Sequence, residues 1–118
     1  MSLYESIHKF VGDHETLHSV SQHEQATVLL TDTRLVEVQY TAGGEKPEDL
    51  TRLRSIQLNR SLFAGYSAVF DEDRTVIEFH GESGDTVESV TLPARDHGFV
   101  ATFSAVVGDA EAAEVASQ

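Results

Sequence analysis

The fold is decided by residues 75–107, which read TVIEFHGESGDTVESVTLPARDHGFVATFSAVV. Before Pro93, apolar and polar residues alternate with a period of two, as they do in β-strands. After Pro93, the apolar residues Phe99 and Phe103 recur four positions apart, which is the spacing of one face of an α-helix. Because proline cannot continue a strand ladder, this stretch predicts a hairpin that ends at Pro93 and is followed by a helix.

The chain before this stretch carries the same alternation, interrupted by polar turns. Asp32 and Thr33 form a tight break, residues 42–49 form the longest loop, and residues 71–74 form a charged hairpin turn. The segments between these breaks predict seven strands, at 16–22, 26–31, 34–41, 50–58, 63–70, 75–80 and 86–92.

The third and fourth of these strands differ in how regular their alternation is. The third alternates cleanly, with Val36, Val38 and Tyr40 on one face and Glu37 and Gln39 on the other. The fourth breaks the alternation, since Leu53 lies out of phase with Ile56. This break predicts a slip of the strand near Ser55.

Seven short strands followed by one amphipathic helix predict a mainly β protein. We expect a strongly bent, seven-stranded antiparallel sheet, or a partly open barrel, over residues 16–92. A helix over 94–110 would cap its open apolar face, with Phe99 and Phe103 as the plug.

The remaining segments complete a single domain of 118 residues. Leu3, Ile7 and Phe10 recur at helical spacing and predict a short helix over 2–12 that precedes the first strand. Residues 111–118 are rich in alanine and glutamate, and we expect them to form a frayed tail.

The charge of the chain is its most extreme property. Eight basic and twenty acidic residues give a net charge of −12, and only Lys9 and Lys46 are lysines. Such a field repels nucleic acid and anionic lipid. The many carboxylates and few lysines favour a halophilic protein, whose surface acids stay hydrated in molar salt. The absence of cysteine and of a signal sequence favours the cytoplasm.

No residue pattern indicates a catalytic, cofactor or metal site. His14 and His18 are four positions apart and His23 follows, but the break at Gly12 and Asp13 and the lack of a His-Glu-x-x-His motif favour solvated histidines. The acidic run at 71–73 lacks the spacing of a calcium loop, and glycine-rich phosphate loops and nucleophile elbows are absent from the sequence. We therefore predict a protein that is not an enzyme and needs no cofactor.

Three arginines lie close together in this acidic chain, namely Arg52, Arg54 and Arg60. On a strand, Arg52 and Arg54 share a face because they are two positions apart. One interpretation is that they pair with carboxylates on neighbouring strands. The other is that they contact an anion or an acidic peptide, since guanidinium groups match carboxylates and phosphates.

The chain resembles the pleckstrin-homology-like (PH-like) domains of bacteria and archaea. The resemblance lies in the order of seven strands and a C-terminal helix over about residues 16–110, in VLLTDTRLV at 28–36, and in LRSIQL at 53–58. The first loop departs from the family, since residues 22–25 read QHEQ where eukaryotic relatives carry lysines that grip phosphoinositides. The resemblance therefore implies the fold without binding to membrane lipid.

Two classes of function follow from these observations. The first is a non-catalytic PH-like interaction module that binds a protein partner or associates with itself through Arg52, Arg54 and Arg60. The second is a small β-barrel that binds a metal or small ligand, or a minor enzyme, and uses the histidines and acids.

The net charge generates the first testable prediction. Thermal stability should rise steeply as KCl goes from millimolar to molar concentration, because salt screens the repulsion among the carboxylates. Melting followed by circular dichroism across this range measures the effect. A melting temperature that stays constant would contradict the halophilic interpretation.

Overall fold

Strands form in the segments where the sequence alternates, and a long helix follows Pro93. The structure is a computed structural model that describes residues 10–23, 26–41, 43–44, 47–58 and 64–116. Its strands are β1 (Leu17–His23), β2 (Ala26–Thr31), β3 (Arg34–Tyr40), β4 (Leu50–Gln57), β5 (Gly65–Phe70), β6 (Thr75–His80) and β7 (Thr86–Leu92). Helix α1 spans His97–Ala116, and a turn of 3-10 helix at Pro47–Asp49 precedes β4. The predicted strands are confirmed to within two residues at either end, and residue 63 lies outside the described residues.

The strands are divided between two antiparallel sheets. One sheet has the order β1-β2-β3-β4 and the other has the order β5-β6-β7. The mainly β prediction with a C-terminal helix is confirmed, but the prediction of one continuous seven-stranded sheet is wrong. Within the described ranges β4 does not pair with β5, and the strands do not close into a barrel. Two separate sheets bury their apolar faces against each other, which one flat sheet cannot do.

Helix α1 completes the core between the sheets. Phe99 and Phe103 are buried, as predicted for the plug. The ring of Phe103 meets Phe79 of β6 edge to face at 6.0 Å and Tyr66 of β5 at 4.9 Å. Their cluster also contains Val28, Leu30, Leu35, Ile77, Val90, Leu92, Val106 and Val107. The helix therefore contributes large side chains to a core shared by both sheets.

The ends of α1 differ from the predicted range 94–110. The helix starts at His97 because Asp96 acts as its N-cap, where Asp96 Oδ1 accepts a hydrogen bond from the Phe99 N–H at 2.9 Å. The Asp96 N–H in turn donates to the buried hydroxyl of Thr75 at 3.0 Å. The helix continues past Gly108 to Ala116, since the alanines and glutamates that follow are strong helix formers and offset the cost of one glycine.

The β1–β4 sheet has a second apolar cluster on its other face. Leu29, Val36 and Val38 are buried there, and Phe10 packs against them. Strand β3 is therefore buried on both faces, although its sequence alternates. Of the predicted helix over 2–12, residues 2–9 lie outside the described residues, and its predicted end is wrong, because Phe10 and Val11 form a turn and a bend.

The packing of the plug generates a prediction about stability. Phe103→Ala should lower the free energy of unfolding by about 3 to 5 kcal/mol, because it removes a fully buried ring from the shared core. Urea denaturation measures the change. Val69→Ala is the control, since Val69 is half-exposed and its truncation should cost at most about 0.5 kcal/mol. Equal effects of the two substitutions would contradict the role of Phe103.

Candidate functional site

Strand β4 places Arg52 and Arg54 on one face of the sheet, as their spacing predicts. Arg52 lies opposite Gln39 of β3, and Arg54 lies opposite Glu37. Arg60 lies outside the described residues. Of the three predicted arginines, the structure therefore describes Arg52 and Arg54. The contacts of these two side chains differ.

A bulge at the start of β4 sets this arrangement. Leu50 pairs with Tyr40, but Arg52 pairs with the preceding residue, Gln39, so Thr51 has no partner on β3. The extra residue places Leu50 on the face of the outer apolar cluster and Arg52 on the face toward the second sheet. The predicted slip near Ser55 is wrong, because pairing with β3 is regular there.

Arg54 bridges the two sheets. Its Nη2 lies 3.2 Å from Glu37 Oε2 on β3 and donates to the Ser89 carbonyl on β7 at 2.6 Å, while its Nη1 pairs with Glu88. The Arg54 side chain is 23% exposed. The interpretation in which the arginines pair with carboxylates on other strands thus describes Arg54.

Glu37 lies between the two arginines of β4, a contact that the sequence pattern does not predict. Its side chain is only 10% exposed and lies between Arg52 Nε at 3.2 Å and Arg54 Nη2 at 3.2 Å. The alternation of β3 placed Glu37 on a polar face, but that face turns toward the second sheet. No local pattern distinguishes a solvated glutamate from one that two arginines on the next strand neutralise.

Arg52 and Leu53 form the exposed part of β4. The Arg52 side chain is 53% exposed and pairs with Glu37 through Nε. Leu53 lies on the opposite face and is 54% exposed. The strand contains no acidic residue, so this edge is a basic and apolar surface on an acidic protein.

The outer backbone edge of β4 can be located from the ladder. The Leu58 N–H donates to the Thr33 carbonyl at 2.8 Å, so the neighbouring Gln57 occupies a non-hydrogen-bonded position against β3. Bonded and non-bonded positions alternate in an antiparallel ladder, so Ser55 and Leu53 are also non-bonded positions. Their N–H and C=O groups therefore point away from β3, toward the open side of the sheet.

On the edge of β7, side chains bind the backbone groups of Ser89. The Ser89 N–H donates to Glu88 Oε1 at 3.3 Å, and the Ser89 carbonyl accepts from Arg54 Nη2 at 2.6 Å. Arg54 and Glu88 are also bonded to each other. The two side chains together satisfy the backbone groups of Ser89 that another strand would otherwise pair with.

Helix α1 contacts the other two edge strands, β1 and β5. It contacts β1, and Tyr66 of β5 donates from its hydroxyl to Ser104 of α1 at 2.8 Å. Phe70 of β5 also stacks on His97, with 4.0 Å between ring centroids. In the described part of the chain, β4 pairs with β3 alone, and no backbone hydrogen bond reaches its other side.

The histidines and acids do not assemble into a metal centre within the described residues. His14 lies in a turn and His18 on β1, both are exposed, and the side chain of His23 lies outside the described residues. Among the described residues, no group of three or more histidines and acids could hold a metal ion. The acidic run at 71–73 is exposed at the β5–β6 turn.

A serine and a histidine do meet on the second sheet. Ser67 Oγ lies 2.8 Å from His80 Nε2, and His80 Nδ1 lies 3.5 Å from the Thr86 hydroxyl. A nucleophilic serine needs a base that a third group orients, usually a carboxylate. Since the group at Nδ1 is a hydroxyl at long distance, the pair is a cross-strand hydrogen bond.

A partly buried ion pair connects the segment before β1 to the β2–β3 turn. Arg34 donates from Nε to Glu15 Oε2 and from Nη2 to Glu15 Oε1, each at 2.8 Å. Thr31 donates to the same carboxylate at 2.9 Å, and the Gly12 N–H at 2.7 Å. Hydrogen bonds from Arg34 hold the pKa of the Glu15 carboxyl far below its usual value, and Glu15 raises the pKa of Arg34.

Comparisons with known proteins give no relative for this arrangement. A scan against protein-family models, a search of curated proteins and a search of solved structures found no match. No helix in the described ranges combines the length and the apolar character needed to cross a bilayer. The resemblance to PH-like domains stays a prediction.

The Glu15–Arg34 pair generates a prediction about pH. The folded pKa of Glu15 is depressed, so its contribution to stability is complete above its unfolded pKa near 4.5 and is lost as pH falls below that value. Glu15→Gln should lower the free energy of unfolding at neutral pH by about 1.5 to 3 kcal/mol, the range for hydrogen bonds to charged groups. The difference from wild type should shrink as pH falls below 4.5.

Urea denaturation of both proteins at a series of pH values measures this difference. Subtracting the two curves removes the effect of the other carboxylates, which titrate in both proteins. A difference that is the same at neutral and acid pH would contradict the role of the charged pair.

Proposed function

We propose that this protein is a non-catalytic PH-like interaction module of the cytoplasm, which binds a protein partner or a second copy through the edge of β4. The observation that carries the proposal is the open side of β4, an eight-residue strand at the end of its sheet. An unpaired edge is a template for another strand. Arg52 and Leu53 give this edge a charged and an apolar contact side by side.

The order of the elements supports the PH-like part of the proposal. Seven antiparallel strands are followed by a C-terminal helix whose phenylalanines lie in the core, and these are the elements that the resemblance implies. Fold similarity alone does not transfer a function. The binding role is therefore supported by the β4 edge and not by the family.

Net charge supports protein over nucleic acid or membrane lipid as the partner. At −12, the chain repels polyanions over most of its surface. Arg52 and Arg54 lie on a strand without acids, and Arg54 is already paired with Glu37 and Glu88. One exposed guanidinium can orient a protein segment, but it offers little to a phosphate backbone.

The geometry gives less support to a small-ligand or metal-binding barrel. That alternative needs histidines and acids that converge, whereas His14 and His18 are exposed on different elements. The Ser67–His80 pair lacks the orienting carboxylate of a hydrolase. We therefore assign no catalytic role to these residues.

A charge reversal tests the binding role. Arg52→Glu should abolish association, because the exposed guanidinium that contacts the partner becomes a repelling carboxylate. Arg74→Glu is the matched control: it makes the same change at the exposed β5–β6 turn, where Arg74 pairs with Asp71. Sedimentation equilibrium in low and molar KCl gives the mass of each protein, and immobilised variants are compared for proteins retained from a lysate of the source cells.

Two outcomes support the proposal. One is a defined oligomer formed by wild type and Arg74→Glu but not by Arg52→Glu. The other is a stoichiometric partner retained with the same selectivity. Monomers under all conditions, together with identical retained proteins for the three variants, would contradict it, provided that circular dichroism shows Arg52→Glu to be folded.

A further inference from the structure

We propose that the edge of β4 binds an extended peptide segment in which acidic and apolar residues alternate, and that this segment adds to the β1–β4 sheet as a fifth strand. The inference rests on the proposed function and specifies its partner and binding mode. Arg52 would pair with an acidic residue of the segment, and Leu53 would contact an apolar one.

The backbone of β4 is prepared for such a strand. Leu53, Ser55 and Gln57 direct their N–H and C=O groups to the open side, and their spacing of two residues is that of a ladder. Main-chain bonds to an added strand supply affinity, while its alternate side chains supply selectivity. Selectivity of this kind requires neighbouring side chains of β4 that favour different residues in the added strand. Arg52 is charged and Leu53 is apolar, so they meet this requirement.

The side chains of β4 determine the chemistry of the segment. An acidic residue opposite Arg52 would meet a guanidinium that is half-exposed and has one partner, Glu37. The next residue of the segment would lie on the other face, opposite Leu53, whose exposed surface an apolar residue would cover. Arg54 does not take part in this contact, because its guanidinium is already bound to Glu88 and to the Ser89 carbonyl of β7.

A second copy of β4 fits this edge less well. Antiparallel pairing centred on Leu53 places Arg52 opposite Arg54 of the other copy, and like charges directly opposite are destabilising. Pairing centred on Ser55 places Arg54 opposite Ile56 and gives the arginines no acid. An acidic segment therefore complements β4, whereas β4 does not complement itself.

Fluorescence anisotropy with synthetic peptides tests the proposal. The probe is a labelled peptide that alternates valine and glutamate, capped at both ends. The first control replaces glutamate with lysine, and the second carries N-methyl groups on alternate residues, which remove the donors that would face β4. We expect the glutamate peptide to bind and both controls to bind at least about tenfold more weakly.

Protein variants locate the binding on β4. Arg52→Glu and Leu53→Thr should each weaken binding of the glutamate peptide, with the reversal costing about tenfold or more. Arg74→Glu and Val69→Thr, which change an exposed arginine and a half-exposed valine elsewhere, should leave it unchanged. Thermal melting of each variant shows whether a loss of binding reflects a loss of fold.

The outcomes separate this inference from the proposed function. Equal binding of the lysine peptide would overturn the acidic chemistry, and equal binding of the N-methylated peptide would overturn strand addition. If the glutamate peptide fails to bind while an oligomer or partner is still lost in Arg52→Glu, the segment proposed here is wrong and the interaction role stands. If neither is observed, both are wrong.

Discussion

The burial of Phe99 and Phe103 is the interaction on which the rest of the structure depends. Two sheets of unequal size share one apolar core, and strands alone leave it open on the side where α1 lies. The helix contributes both rings to the core, and its first turn is fixed by Asp96, which is held in turn by Thr75 of β6. Strand β6 contributes Phe79 to the core and Thr75 to the start of the helix. Packing of the helix and packing of the sheets therefore stabilise each other.

The two sheets have four edge strands, β1, β4, β5 and β7. The contacts made by these four strands differ. Helix α1 contacts β1 and β5. At Ser89 of β7, the side chains of Arg54 and Glu88 bind the backbone groups that a neighbouring strand would otherwise pair with. The Arg54 guanidinium extends from β4 to β7 and contacts Glu37 on the way. The carboxylate of Glu37 balances the charge of this guanidinium between the two sheets. The remaining edge strand, β4, pairs with β3 alone among the described residues.

Local patterns in the sequence predict the strands, the turns and the helical plug, because alternation and helical spacing depend on neighbours along the chain. They could not predict contacts between distant residues. Glu37 alternates as a solvated residue would, yet it is buried beside Arg54, and Glu15 gives no sign that it pairs with Arg34. The phase of Leu53 against Ile56 predicts a slip in β4. Regular pairing with β3 removes the slip, and Leu53 is exposed on the outer face of β4.

The exposed Leu53 has a consequence for the colloidal behaviour of the protein. At low salt, a net charge of −12 causes repulsion between separate molecules, which opposes aggregation. The same charge causes repulsion among the carboxylates of one molecule, which destabilises its fold. On the halophilic interpretation, concentrated salt reverses both effects, since it screens repulsion within each molecule and shortens the range of repulsion between molecules. Solubility and folding therefore respond to salt in opposite directions. A strand edge without a neighbour, next to an exposed leucine, is the place where aggregation would begin in concentrated salt.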